Sequence, residues 1–137
     1  MIGEYKLAKV KNGVGYFAYV FVVVEPSLTG ETVIDEIGQQ VDREKGEVNS
    51  RTHNDWINAA IDGVYQTLDH LKSLTSSDCY LVKVSKVIGT EVDTTEDSVK
   101  VAASIATWRA IKPNFSEPIP KFDQLENIWT VEFPSLV

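Results

Sequence analysis

The chain has 137 residues, 43% of them hydrophobic and 24% charged, which suits one globular domain with one core. Its net charge of −7, from 20 acidic and 13 basic residues, argues against a non-specific nucleic-acid binder, because phosphate contacts require Lys and Arg. The single cysteine excludes an intrachain disulfide, and without a signal-peptide start or a long apolar run we expect a cytoplasmic protein without membrane contact.

The first part of the chain has the pattern of a β-hairpin followed by a further strand. Residues 4–11 are strand-like, and Asn12-Gly13 is a pair that tight hairpin turns favour, because both residues tolerate positive φ. Residues 16–24 are rich in β-branched and aromatic side chains, which favours a second strand that Pro26 should end. A third strand is expected over residues 32–37, and the polar stretch 42–53 indicates a loop.

The second part of the chain alternates between helix and strand. A helix after Asn54 should carry an apolar stripe with the spacing of one helical face, formed by Ile57, Ile61, Val64, Leu68 and Leu71. A strand over residues 80–88 and a turn at Gly89 follow, and then a second helix that Thr94 or Thr95 caps and that ends before Pro113. Residues 128–133 form a last strand.

This order predicts an α+β fold: a two-layer sandwich with a mostly four-stranded sheet, two helices on one face and a C-terminal extended segment or strand. We assign residues 1–120 to the main domain. Residues 121–137 are interpreted as a C-terminal strand extension that packs on the same domain.

The sequence lacks the motifs of nucleotide binding, zinc binding and nucleophilic catalysis. It contains no G-x-x-x-x-G-K-[ST] phosphate loop, so we expect that this chain binds no GTP, and no Cys/His cluster has zinc spacing. His53 and His70 have no accompanying nucleophile and orienting group, so both are expected to be solvated. We therefore expect no enzyme activity, no cofactor and no bound metal.

Residues 91–106 read EVDTTEDSVKVAASIA and resemble, without a gap, the stretch D-V-D-S-S-E-x-A-F-K-x-A-A-S-x-A of the fourth domain of translational elongation factor G. Further blocks follow in the family's order. Residues 8–9 and 13–20 are similar to A-K-Q-S-G-G-x-G-Q-Y-G-H-V, residues 33–37 to F-x-N/D-x-I, residues 54–64 to E-Y-I-P-A-V-x-x-G-I, and residues 117–119 to L-E-P-I. The resemblance covers about residues 6–120.

The resemblance implies the ribosomal-protein-S5 domain 2-like fold and a role in translation. In the whole factor this domain reaches into the ribosomal decoding centre, and two loop tips make the contacts there. The corresponding candidate ribosome- or RNA-contacting residues are Lys9, Lys11, Asn12, Gly13 and Val14 in the first tip, and Gly89 and Thr90 in the second. The sequence departs from the family at both tips. Gly89-Thr90 runs directly into Glu91 where the family has G-S-Y-H before the aspartate, and Val14 replaces a basic or polar residue.

A second interpretation is a protein-interaction module, either homodimeric or binding another protein. Strand alternation sends Phe17, Tyr19 and Phe21 to one face of the sheet and their neighbours to the other. Helices cover one face in a two-layer fold, so the aromatic face is a candidate protein interface. Two alternatives stay open: that the C-terminal segment, with Trp129 and Phe133, covers this face, or that the aromatics stack on RNA bases.

Overall fold

The computed structural model describes residues 1–37, 54–74 and 78–134. Within these ranges the elements follow in the order β1 (Ile2–Lys11), β2 (Val14–Ser27), β3 (Thr32–Asp35), α1 (Asn54–Leu74), β4 (Cys79–Ile88), α2 (Glu96–Ile111), β5 (Ile119–Asp123) and β6 (Ile128–Glu132). The expected α+β fold with two helices and a four-stranded sheet is confirmed. The loop predicted over residues 42–53 and His53 lie outside the described residues.

The four-stranded sheet has the order β1-β2-β4-β3. The strands β1, β2 and β4 are antiparallel, whereas β3 runs parallel to β4. Alternate residues of the two central strands are fully buried on the face that carries the helices, namely Ala18, Val20, Val22, Val24, Val82, Val84 and Val87. The opposite face of the same strands carries the aromatic side chains.

Both helices lie on that buried face and pack tightly against each other. The expected stripe of α1 is buried or packed against the core. A Cβ added to Gly63 would lie 2.2 Å from the Lys100 carbonyl oxygen, so the backbones of α1 and α2 nearly touch. The Ser104 hydroxyl donates to the Gly63 carbonyl oxygen at 2.8 Å. The Thr67 hydroxyl donates to the Ser104 carbonyl oxygen at 2.7 Å. These bonds fix the helices relative to each other.

The C-terminal residues form a β-hairpin that packs on α2, on the helix side of the molecule. The strands β5 and β6 pair antiparallel, and Trp129 of β6 is buried in a second core cluster with Leu7, Val101 and Ile105. Because the sheet, α1 and this hairpin cover α2 from three directions, 11 of its 16 residues are buried. The hairpin has residues on both sides of residue 120, where we placed the boundary between the main domain and the C-terminal extension. That boundary stays a prediction.

Three local expectations need correction. Pro26 does not end β2, which continues to Ser27. The Val24 amide donates to the Met1 carbonyl oxygen, so Val24 faces the β1 side. Pro26 lies two residues further along and faces the same side, beyond the paired part of β1. The missing N–H of Pro26 therefore removes no hydrogen bond between the two strands. His70 is not fully solvated, because its ring stacks on Phe133 with centroids 4.1 Å apart. The alternative that Trp129 and Phe133 of the C-terminal segment cover the aromatic face is also wrong, since both side chains lie on the helix side of the sheet.

Candidate interaction surfaces

The first predicted tip is the turn between β1 and β2. Asn12 and Gly13 have φ of 54° and 79°, as a two-residue hairpin turn with two left-handed positions requires. The strands stay paired up to the turn, ending with Lys11 opposite Val14. The side chains of Lys9, Lys11 and Val14 are exposed. This tip is a regular hairpin that projects from the sheet.

The second predicted tip is the segment between β4 and α2, and Thr94 organises it. The Thr94 hydroxyl donates to the Phe17 carbonyl oxygen at 2.6 Å and accepts from the Thr90 amide at 2.7 Å. Gly89 is buried beneath Trp56, whose ring would lie 2.8 Å from a Cβ at that position. The exposed part of this tip therefore begins at Thr90 rather than at Gly89.

The structure brings the two tips together at one end of the sheet. The Phe17 amide donates to the Asp93 carbonyl oxygen at 3.0 Å, which ties the second tip to the start of β2. A Cβ at Gly15 would lie 3.5 Å from the Asp93 carboxylate, so the two loops are in side-by-side contact. We call the exposed residues of both loops the tip surface, comprising Lys9, Lys11, Asn12, Gly13, Val14 and Thr90.

Charges of both signs lie on and around the tip surface. Glu91 and Asp93 follow Thr90 in the second tip, and the Asp93 carboxylate lies next to Gly15 of the hairpin. The Lys11 ammonium lies 6.0 Å from the centre of the Trp129 ring, which belongs to an aromatic cluster with Tyr16 and Phe122. The cation is thus held over an aromatic ring of the C-terminal hairpin. Because charges of both signs are present, charge alone does not favour the binding of a polyanion to the tip surface.

The second candidate surface is the sheet face turned away from the helices, which we call the open face. Its residues are Ile2, Glu4, Lys6, Ala8 and Val10 of β1, Phe17, Tyr19, Phe21, Val23 and Glu25 of β2, Leu81, Lys83, Lys86 and Ile88 of β4, and Thr32 and Ile34 of β3. The aromatic rings are half-buried among their neighbours. Of the described part of the chain, no helix or strand packs on this face.

The strand register arranges the open face in rows across the sheet. Phe21 has Glu4 beside it on β1 and Lys86 beside it on β4. In the next row towards the tips, Tyr19 has Lys6 on β1 and Ile88 on β4, and its hydroxyl donates to the Glu4 carboxylate. In these two rows the central strand is aromatic, β1 carries Glu4 and Lys6, and β4 carries Lys86 and Ile88.

Sequence reasoning identified both surfaces but missed the groups that position them. Thr94 was interpreted as a possible helix cap, and nothing in its local sequence signals a bond to Phe17, which precedes it by 77 residues. Lys86 lies next to Phe21 because the register between β2 and β4 shifts between Phe21 and Val22. That shift has no signature in a single sequence.

Comparison with solved structures gives the fold independent support. The chain superimposes on the protein ttk003000868 from Thermus thermophilus with a TM-score of 0.61 and 18% sequence identity, over 87% of this chain. The matched part is 17% of that protein, so the chain spans about a sixth of its length. A comparison with protein-family models and one with curated proteins find no match. At this identity the likeness shows the fold alone.

Two further observations concern membranes and metal ions. No helix in residues 54–74 or 96–111 is long and apolar enough to cross a membrane. Within the described ranges, no three His, Cys, Asp or Glu side chains are placed to hold a metal ion.

Proposed function

We propose that the chain is a non-catalytic, cytoplasmic module of the elongation factor G domain IV type, which binds the ribosome or its RNA through the tip surface. The observation that supports this is the contact between the two tips. The segments that carry the sequence resemblance meet there through Phe17, Asp93 and Thr94. The likeness to one sixth of a much larger protein fits a domain that also occurs as a part of longer chains.

The proposed binding depends on shape more than on charge. The projecting hairpin turn and the Thr90 loop form a protrusion at one end of a rigid sheet. Lys9 and Lys11 supply two positive charges, and the Asp93 carboxylate lies next to the hairpin at Gly15. Two lysines would neutralise only about two phosphates of the ribosomal RNA. The affinity for the ribosome should therefore fall only weakly as the salt concentration rises.

Cosedimentation with purified ribosomes at low and at moderate salt tests this function. The wild-type chain should appear in the ribosomal pellet at both salt concentrations. The double variant Lys9→Glu/Lys11→Glu should stay in the supernatant, because both reversed charges lie at the hairpin tip. A matched double reversal away from the tips, Lys100→Glu/Lys112→Glu, should pellet like the wild type. If the wild-type chain is absent from the pellet at both salt concentrations, the ribosomal function is wrong.

A second candidate function is protein binding through the open face. The observation in its favour is that Phe17, Tyr19 and Phe21 follow one another along a central strand that the helices and the C-terminal hairpin leave uncovered. Base stacking on these rings is less well supported, because glutamates lie among the lysines of the face instead of a basic groove. A protein partner fits such a mixture of apolar and oppositely charged groups better.

A further inference from the structure

We propose that the outer edge of β1 binds an extended segment of another protein, in which acidic side chains alternate with apolar ones. The segment adds a strand to the four-stranded sheet beside residues 6–10, at the end of the order β1-β2-β4-β3. It lies in the plane of the sheet and needs no space on the open face. The inference goes beyond both candidate functions, because it depends on the backbone of β1.

The backbone groups of β1 that point away from the sheet belong to alternate residues. Met1 and Val24 exchange both of their backbone hydrogen bonds, at 2.9 and 2.7 Å. In an antiparallel pair such exchanges recur at every second residue, so the odd-numbered residues of β1 bond to β2. The N–H and C=O groups of the even-numbered residues therefore point outward. The bond from the Arg109 guanidinium to the Glu4 carbonyl oxygen, at 3.0 Å, agrees with this direction.

The outer edge of β1 is occupied at one end. At Glu4 the Arg109 guanidinium fills the position that a neighbouring strand would take. The Glu117 carboxylate holds this guanidinium at 2.9 Å, and the Tyr5 ring lies 4.9 Å from it. A charged side chain fixed at an edge prevents strand addition there. This clasp limits a partner strand to the part of β1 that follows Tyr5.

Beyond the clasp the edge is open. The outward-facing residues there are Lys6, Ala8 and Val10, and all of them are exposed. Val10 is 71% exposed. In the part of the chain that the structure describes, no hydrogen bond reaches the outward backbone groups of these residues. Each residue thus offers one N–H and one C=O group to a partner strand.

The side chains along the open edge differ between the two sides of the sheet. On the open face, Ala8 and Val10 follow each other, and both are apolar and exposed. On the helix side, Lys9 and Lys11 follow the buried Leu7. A strand that pairs with β1 places its own side chains beside these, alternately on one side and the other. It therefore needs apolar side chains on one side and acidic ones on the other.

The positive charge at this edge is available to a partner. Among the described ion pairs, none includes Lys9 or Lys11. The Lys11 ammonium lies instead 6.0 Å from the centre of the Trp129 ring. The Phe17 amide that donates to Asp93 faces the β4 side of β2, so the acidic loop of the second tip lies across β2 from the edge.

A second copy of the chain fits the open edge poorly. If two β1 edges paired antiparallel about Ala8, Lys9 would lie beside Leu7 of the second copy and Lys6 beside Val10. No carboxylate would meet a lysine in this register, and the lysines of both copies would come close together. Lysines on an exposed edge strand disfavour self-association in this way. The same lysines attract an acidic segment, so they select the partner.

Titration of the full-length chain with synthetic peptides tests the proposal. The probe is a capped peptide in which glutamate alternates with valine. In the register that places valine beside Ala8, the valine backbone faces β1 and the glutamates lie on the side of Lys9. The wild-type chain should bind the probe. Methylation of the valine nitrogens should abolish binding, because it removes the N–H groups that face β1, whereas methylation of the glutamate nitrogens should be tolerated.

Hydrogen exchange of single amides, followed by nuclear magnetic resonance, locates the peptide. In the free chain the amides of Ala8 and Val10 should exchange fast, and those of Leu7 and Lys9 slowly, because only the latter bond to β2. Addition of the probe should slow the exchange of the Ala8 and Val10 amides. A peptide that binds elsewhere would leave these two amides unprotected.

Variants of the chain test the backbone and the charge separately. Ala8→Pro removes an outward N–H but no bond to β2, and should weaken binding of the probe about tenfold. Ala8→Val keeps the N–H and should bind like the wild type. Lys9→Glu should weaken binding about fivefold and should prefer a peptide with lysine in place of glutamate. The reversal Lys100→Glu, on α2, should change neither preference.

A wild-type chain that does not bind the probe overturns the proposal. Equal binding of the glutamate and lysine peptides overturns the acidic partner, and so does an unchanged preference in Lys9→Glu. Amides of Ala8 and Val10 that are protected in a dimer of the free chain assign the edge to a second copy and overturn the proposal. Protection of these amides by single-stranded RNA but not by the probe overturns it as well. Ala8→Pro should still sediment with ribosomes, and its loss from the pellet would overturn a site separate from the tip surface.

Discussion

Thr94 and Thr95 are neighbours with different tasks. Thr95 is the cap of α2: its hydroxyl accepts from the Ser98 amide, and the Ser98 hydroxyl accepts from the Thr95 amide at 3.0 Å. Thr94 is 7% exposed and instead joins the loop of the second tip to β2. The pattern of two threonines before an acidic pair indicates a helix start, but only the fold decides which of them caps it.

Replacing Thr94 by Val should lower the free energy of unfolding by about 1–3 kcal/mol, because the Thr90 amide and the Phe17 carbonyl lose their shared partner. The Thr90 amide should also exchange its hydrogen faster. Urea unfolding and hydrogen exchange measure the two effects. Thr94→Ser keeps the hydroxyl and is the matched control. Equal loss of protection in both variants would contradict the role of the hydroxyl.

Gly63 lets two helices come into backbone contact. Gly to Ala in a helix interior ordinarily stabilises by about 1 kcal/mol. Here the added Cβ would lie 2.2 Å from the Lys100 carbonyl oxygen and 2.9 Å from the Ala103 Cβ, so steric overlap outweighs propensity. Gly63→Ala should therefore lower the free energy of unfolding by about 1–3 kcal/mol in urea titration. Gly15→Ala, whose Cβ has a nearest neighbour at 3.5 Å, should cost much less.

At the scale of elements, α2 is the centre of the molecule. The sheet lies on one side of it, α1 on the second and the C-terminal hairpin on the third, so buried residues occur on several sides of the helix. The sequence predicts the start and end of α2 well, through its threonine cap and Pro113. It does not predict β5, because Pro118 and Pro120 obscure a strand that pairs with β6.

The hairpin contributes to the core rather than only extending the chain. Trp129 is 4% exposed and closes the cluster of Leu7, Val101 and Ile105. Trp129→Ala should lower the free energy of unfolding by about 3–5 kcal/mol, measured by denaturant titration with circular dichroism. Leu125→Ala in the turn of the same hairpin, where Leu125 is 97% exposed, should have no measurable effect. A mild effect of Trp129→Ala would mean that the hairpin is dispensable for the core.

For the whole molecule, the tyrosines predict a loss of stability in alkali. Burial raises the pKa of Tyr5 above its ordinary value of 10.0, although the nearby Arg109 cation lowers it in part. Burial also raises the pKa of Tyr80 from 10.0. A raised pKa in the folded state means that the unfolded chain loses these protons first. The contribution to stability is complete below pH 10.0 and disappears as the pH rises through the folded-state values.

Urea titrations from about pH 9 to about pH 11 should show this decline. The double variant Tyr5→Phe/Tyr80→Phe should decline less steeply, because neither ring can ionise. A parallel decline in the double variant and the wild type would contradict the assignment to Tyr5 and Tyr80.

Periodicity and turn chemistry were sufficient to predict most of the architecture. The stripe of α1, the Asn12-Gly13 turn and the inward valines of β2 all follow from local patterns. Both candidate surfaces could also be named from the sequence. Their geometry could not, because it depends on contacts between distant residues such as Phe17 and Asp93, and on the register shift that places Lys86 beside Phe21. No local pattern encodes such pairings.

The position of β4 has a consequence for synthesis. This strand lies between β2 and β3, both of which precede it in the chain. While the nascent chain leaves the exit tunnel, β2 can pair with β1, but its other edge has no partner until Cys79–Ile88 have emerged. An aromatic strand with an unpaired edge is prone to aggregate. We therefore expect the nascent chain to need chaperone protection until Ile88 has left the exit tunnel.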